Sequence, residues 1–110
     1  MQLITSAKFS HLNLDDLEHQ IVSLSARINA SEYEFLVLLR EFDLRQGWQA
    51  WGCLDCAAWL NFRCGIVPGT AREKVRTARA LMTLPLISNC FAQGKLSYSN
   101  VRALTRVATP

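Results

Sequence analysis

The sequence predicts an all-α fold: one long N-terminal helix, then a short helical array containing a helix-turn-helix-like pair, together reading as an incomplete domain. Three observations lead there. Apolar residues recur at alternating four- and three-residue spacing, Asn, Asp and Ser stand where helix N-caps are needed, and no stretch shows the strict alternation of a half-buried strand.

Residues 1–13 read as a flexible N-terminus and residues 14–110 as the helical module. Leu17, Ile21, Leu24, Ile28, Phe35, Leu38 and Phe42 form one stripe interrupted only at Ser31, which predicts a helix over about 14–46. Asn13 is its N-cap, and Asp15, Asp16 and Glu18 complement the positive end of the helix dipole. The string "SEYE" (31–34) also reads as a capping box that would start a second helix, but the stripe keeps its phase across it, which favours one long helix. A coiled coil is the alternative to a core-facing helix. Leu36, Val37 and Leu39 widen the stripe beyond a two-stranded seam and favour packing on other helices, from this chain or another.

Gly47 and Gly52 bracket a connector, Asp55 caps a short helix to Cys64, and Gly65 ends it. In "IVPGT", Pro68 pushes Val67 extended, and Thr70 with Glu73 reads as a capping box for a helix over about 71–83. Ala71, Val75, Ala78 and Met82 form its inner face; Arg72, Arg76 and Arg79 form an adjacent basic stripe, with Lys74 nearby. Pro85 breaks that helix, and "LISNCFAQG" is a short helix closed by Gly94. Ser97 caps a last segment whose Tyr98, Val101, Leu104 and Ala108 face one way, with Arg102 and Arg106 on the flank.

Composition narrows the function. At 110 residues, half of them apolar, the chain suffices for one modest core. The first residues show no basic stretch followed by a long apolar run, and nowhere do eighteen apolar residues run together, which predicts a cytoplasmic chain without a membrane span. The net charge of +3 conceals an asymmetry: residues 1–59 hold four Lys/Arg against eight Asp/Glu, residues 60–110 eight against one. A basic half points to an anionic partner, most simply nucleic acid; the alternative is that the acidic half folds against it.

All three tryptophans and three of the four cysteines lie in "GWQAWGCLDCAAWLNFRCG", residues 47–65. Cys53 and Cys56 make a CxxC, but a zinc site would need Cys64 and then Cys90, His11 or His19, so free thiols and no metal are the expectation. No Gly-rich nucleophile turn, phosphate-binding loop or carboxylate pair accompanies the histidines, so neither catalytic residues nor a cofactor or small-molecule site is expected. Trp48, Trp51 and Trp59 read as core anchors, with base stacking beside Arg45 and Arg63 as the alternative. The strongest constellation is the helix pair around Gly65, whose second helix would carry Arg72, Lys74, Arg76 and Arg79 to DNA. Arg63, Arg102 and Arg106 would add phosphate contacts. The Gly65–Thr70 turn is longer than is usual for such a pair, and a solvated basic face on an ordinary helical hairpin is the alternative.

The strings "LREFDLRQGWQAWGCLDCAAWLNFRCGIVPGTAREKVRTARALMTLPLI" and "FAQGKLSYSNVRALTRVATP" resemble the N-terminal helical module called domain of unknown function 222, over roughly residues 15–110. The most specific parts are "CGIVPGTAREKVRTARAL" and "GKLSYSNVRALTRVATP". That module is best known from actinobacterial repeat-family proteins carrying an HNH endonuclease domain further along, whose histidines and asparagine would hold a divalent ion. Nothing in this chain corresponds to the HNH motif, so no catalytic residue carries over. The resemblance implies a truncated or split copy: an uncharacterised, non-catalytic helical module that binds nucleic acid or packs on a partner helix or the missing C-terminal half.

Overall fold

The computed structural model describes residues 8–110, and the expected flexible N-terminus lies outside them as far as residue 7. Just before the first long helix, the Leu12 N–H donates to the Phe9 carbonyl at 3.1 Å.

Helix α1 runs Leu14–Leu44, 31 residues, about 46 Å at 1.5 Å per residue. Its start is set as the sequence predicts: the Asp16 N–H donates to Asn13 Oδ1 at 2.8 Å, satisfying one of the orphan first-turn donors. The helix continues unbroken through Ser31–Glu34, so that capping box is not used. It ends at Leu44, where Gln46 takes a left-handed conformation and Gly47–Trp51 winds into a single 3-10 turn closed at Gly52.

Helix α2 (Cys56–Cys64) begins with the Ala58 N–H donating to Asp55 Oδ1 at 2.8 Å. It stops at Gly65, whose φ of 70° is the left-handed conformation that glycine reaches without penalty. Helix α3 spans Pro68–Leu81, which corrects the expected 71–83. Val67 is the N-cap and uses no side chain, because Pro68 at the first helical position already has its φ set and no N–H to satisfy. Thr70 and Glu73 therefore lie inside the helix, and the connection from α2 shrinks to Gly65–Val67, the length of a helix-turn-helix turn. The Asn61 side-chain amide donates to the Ile66 carbonyl at 3.1 Å and pins this turn.

Helix α4 (Pro85–Ala92) repeats the proline start. Helix α5 (Tyr98–Val107) begins at Ser97 with a reciprocal box: the Asn100 N–H donates to Ser97 Oγ at 3.1 Å and the Ser97 N–H to Asn100 Oδ1 at 3.3 Å. No strand occurs among the described residues.

Helix α3 is the hub, packing on α1, α2, α4 and α5. Ala71, Val75 and Ala78 face inward as expected, but Met82 is exposed and Leu81 takes its place, because α3 ends there and Met82 begins the turn. Around them lie Leu60, Phe91, Val101 and Cys56, with Trp48, Trp59, Ile66 and Tyr98 half-buried at the edge. On α5 the buried positions are Val101 and Thr105; Leu104, expected inside, is 39% exposed, since one step along a helix turns a side chain by about 100°.

The same rotation revises α1. Its buried residues are Leu36, Leu39 and Asp43, one position round from the predicted stripe at Phe35, Leu38 and Phe42. The first half of the stripe does not face the core. Ile21, Leu24 and Ile28 are exposed, because the other helices reach only the second half of α1. The molecule is accordingly extended, with a radius of gyration of 17.1 Å against about 13 Å for a compact chain of this length.

Candidate nucleic-acid interface

The basic residues singled out by the sequence fall into three groups. On α3, Arg72, Arg76 and Arg79 lie along one outward arc, seven residues end to end, about 10 Å. Arg72 is exposed and makes no ion pair with a carboxylate among the described residues. Arg76 and the α5 arginines converge on Glu73. Its Oε1 receives Arg106 Nη2 at 2.7 Å, Arg102 Nε at 2.9 Å and Arg76 Nη2 at 3.2 Å, while Oε2 takes Arg76 Nε at 3.1 Å. Arg76 also donates to the Arg102 carbonyl at 3.2 Å. The Arg76 hydrogen bonds, with Arg106 and Arg102 beside them, hold the Glu73 carboxyl at about 2 instead of 4.5, so it is ionised throughout the physiological range.

Arg79 reaches across to α1, where its Nε lies 2.8 Å from Asp43 Oδ2. Asp43 is nearly closed off, at 8% side-chain exposure, and Arg79 supplies its counter-charge while keeping 60% of its own side chain in solvent. The hydrogen bond to Asp43 raises the Arg79 pKa further. Lys74 is the candidate whose surroundings fit the role least. Only 12% exposed, its ammonium lies 3.3 Å from Glu32 of α1 and 3.9 Å from the Tyr98 ring centre, clamping α1, α3 and α5 together. Three helices thus enclose a charge placed by sequence spacing beside the outer stripe.

Arg63, at the end of α2, lies 4.3 Å over the ring of Trp51, with Phe62 on the same aromatic cluster. Trp51 is half-exposed, so of the three tryptophans it departs from the expected anchoring role. Trp59 keeps it, packed on Phe42 at 4.2 Å between ring centres. The cysteines stand apart from one another in environment. Cys56 is buried, and burial together with the nearby Asp43 charge pushes its thiol up to about 11; Cys64 and Cys90 are exposed and all four are free. Among the described residues no group of three His, Cys, Asp or Glu could hold a metal ion, and no helix is long and apolar enough to cross a membrane.

The face shared by α3 and α5 therefore gathers Arg76, Arg102 and Arg106 around one ionised Glu73, with Arg72 and the Asp43-paired Arg79 on the same arc of α3. Its surplus is positive, and sequence reading missed the carboxylate that organises it. The signal was present: Glu73 is the only acidic residue in the second half of the chain. No curated protein and no solved structure matches the chain. A family model described as Domain of unknown function (DUF222) matches residues 16–109, nearly the whole length, and the chain belongs to that family.

Proposed function

We propose that this module docks on nucleic acid without catalysing a reaction, using the α3–α5 face against the phosphate backbone. The association with an HNH nuclease implied by the sequence resemblance belongs to the same proposal. The observation that carries it is the arginine cluster: guanidiniums from two helices held on one carboxylate, with solvent-facing N–H groups left over. Guanidinium is the side chain best suited to phosphate, with five donors in a planar fork. Holding the forks on Glu73 lowers the ordering entropy that binding costs. The three-residue turn between α2 and α3 supports the same reading, because it gives the pair the connection length of a DNA-reading motif. Arg63 on Trp51 adds a stacking edge at the end of α2.

The test is duplex binding followed by fluorescence anisotropy from 50 to 200 mM salt. Removing one phosphate-binding cation should reduce the slope of log K against log salt by about 0.9. Arg72→Ala with Arg106→Ala should therefore flatten it by roughly 2, since Glu73 retains Arg76 and Arg102 and the fold is kept. Lys74→Ala should leave the slope unchanged, its charge being enclosed. Salt-insensitive binding, or none at 50 mM salt, would sink the reading.

A further inference from the structure

The first half of α1, residues 14–28, extends beyond the shorter helices, meeting them only at its end, where Ala26 abuts Gly94 and Leu24 and Ile28 border a groove with Ile66 and Lys74. It carries Leu14, Ile21, Leu24 and Ile28 at 82, 67, 48 and 54% exposure along one face. Phe9 and Leu17 extend this face at its N-terminal end, where both border one shallow groove with Ile21 and Leu24. Four- and three-residue spacing over three turns is the pattern of a helix that packs lengthwise on another helix. The charges beside the stripe say which helix and in which direction. Asp16 and Arg27 lie eleven residues apart, three turns, and so fall on the same flank of the stripe.

We infer that this arm pairs with the arm of a second copy of the chain, antiparallel, about a two-fold axis passing between Val22 and Ser23. In an antiparallel pair like flanks meet. Ile21 then lies against the partner's Leu24, and Leu17 against the partner's Ile28. Arg27 comes within about two residues, ~3 Å along the axis, of the partner's Asp16, and the symmetry makes this ion pair twice. On the other flank Glu18 meets the partner's Ser25, so no like charges oppose each other. A parallel pair loses all of this. It sets the acidic first turns Asp15, Asp16 and Glu18 side by side and turns Arg27 toward the partner's Glu32, whose equivalent in this chain is already bound to Lys74. Antiparallel pairing also separates the two helical bodies, since each packs on its own α1 from Ala26 onward and so lies at an opposite end of the paired arms.

Sedimentation equilibrium of the whole chain in reductant tests the pairing. The weight-average mass should rise with concentration from 12.4 kDa toward twice that value and no further. Ile21→Lys should abolish the rise while helicity and thermal midpoint at low concentration stay unchanged. Asp16→Arg or Arg27→Asp alone should weaken association about five- to tenfold, and the two combined should restore it, a result that a purely structural role for either residue would not produce. A chain that stays monomeric to 1 mM overturns the inference. So does association indifferent to Ile21→Lys, growth beyond two copies, or failure of the double exchange to restore it. The DNA proposal stands or falls separately, because none of these residues lies on the α3–α5 face.

Discussion

The two halves of α1 are one helix with one repeating pattern and two different fates. From residue 29 onward the helix buries Leu36, Leu39 and Asp43 under α3, α4 and the 3-10 turn and half-buries Phe35 and Phe42 of the stripe beside them, while from 14 to 28 the stripe residues Ile21, Leu24 and Ile28 face solvent. Periodicity states that a helix has an apolar face; it does not state what covers that face. Coverage depends on where the other helices can reach, and α3 with the three short helices packed on it reaches about half of a 46 Å rod.

The largest test of that contrast is a matched pair of truncations. Leu36→Ala removes a fully buried side chain and should cost about 2–5 kcal/mol. Leu24→Ala, measured at concentrations where the chain is monomeric, should change stability by less than about 0.5 kcal/mol. Equal losses in urea titrations would mean that the arm is covered within the monomer. The boundary between the halves is marked by Gly94, whose φ is 77° and whose Cβ, if present, would fall 2.5 Å from the Ala26 carbonyl oxygen. The Asn29 amide donates to the Gly94 carbonyl at 3.4 Å on the same contact. Gly94→Ala should therefore destabilise by more than the ~1 kcal/mol of a strained left-handed alanine alone. It should also raise hydrogen exchange first around residues 26–29. A neutral Gly94→Ala would move the boundary elsewhere.

The smallest expected effect concerns the charge cluster where α3 meets α5. Because the Glu73 carboxyl is held at about 2 in the folded chain against 4.5, the stabilisation it contributes is complete above 4.5 and is lost as pH falls toward 2. The difference in thermal midpoint between the native chain and Glu73→Gln should narrow over that interval and be constant from pH 6 to 8. A difference that persists unchanged at pH 2 would show that Glu73 acts through packing and not through charge.

These contrasts also mark what the sequence could express. Asn13, Asp55, Ser97 and Gly65 act on backbone groups within a few residues, and each was legible as a cap or stop. Pro68 was legible as a boundary but ambiguous in direction, since proline both ends the segment before it and fits the first turn of the helix after it; the Thr70–Glu73 pattern then drew the start three residues too late. The candidate site was legible only as a set of cations. Lys74–Glu32 and Arg79–Asp43 join residues 42 and 36 positions apart, and Glu73 gathers arginines from a helix that begins 25 residues later. Such pairings depend on the packing of α1, α3 and α5, which no local spacing encodes.

The placement of the four thiols has a chemical consequence. Cys56, buried and protonated at neutral pH, is shielded from oxidants for as long as the chain is folded, whereas Cys64 and Cys90 offer two outward sulfurs on different helices. Air oxidation would join chains through either sulfur, and two reactive points per chain give open-ended covalent ladders. Symmetric arm pairing, by contrast, closes at two copies. A sample that ages into higher-order species reversed by reductant is reporting its surface sulfur chemistry, and the unreacted Cys56 remains as an internal gauge of how much of the chain has stayed folded.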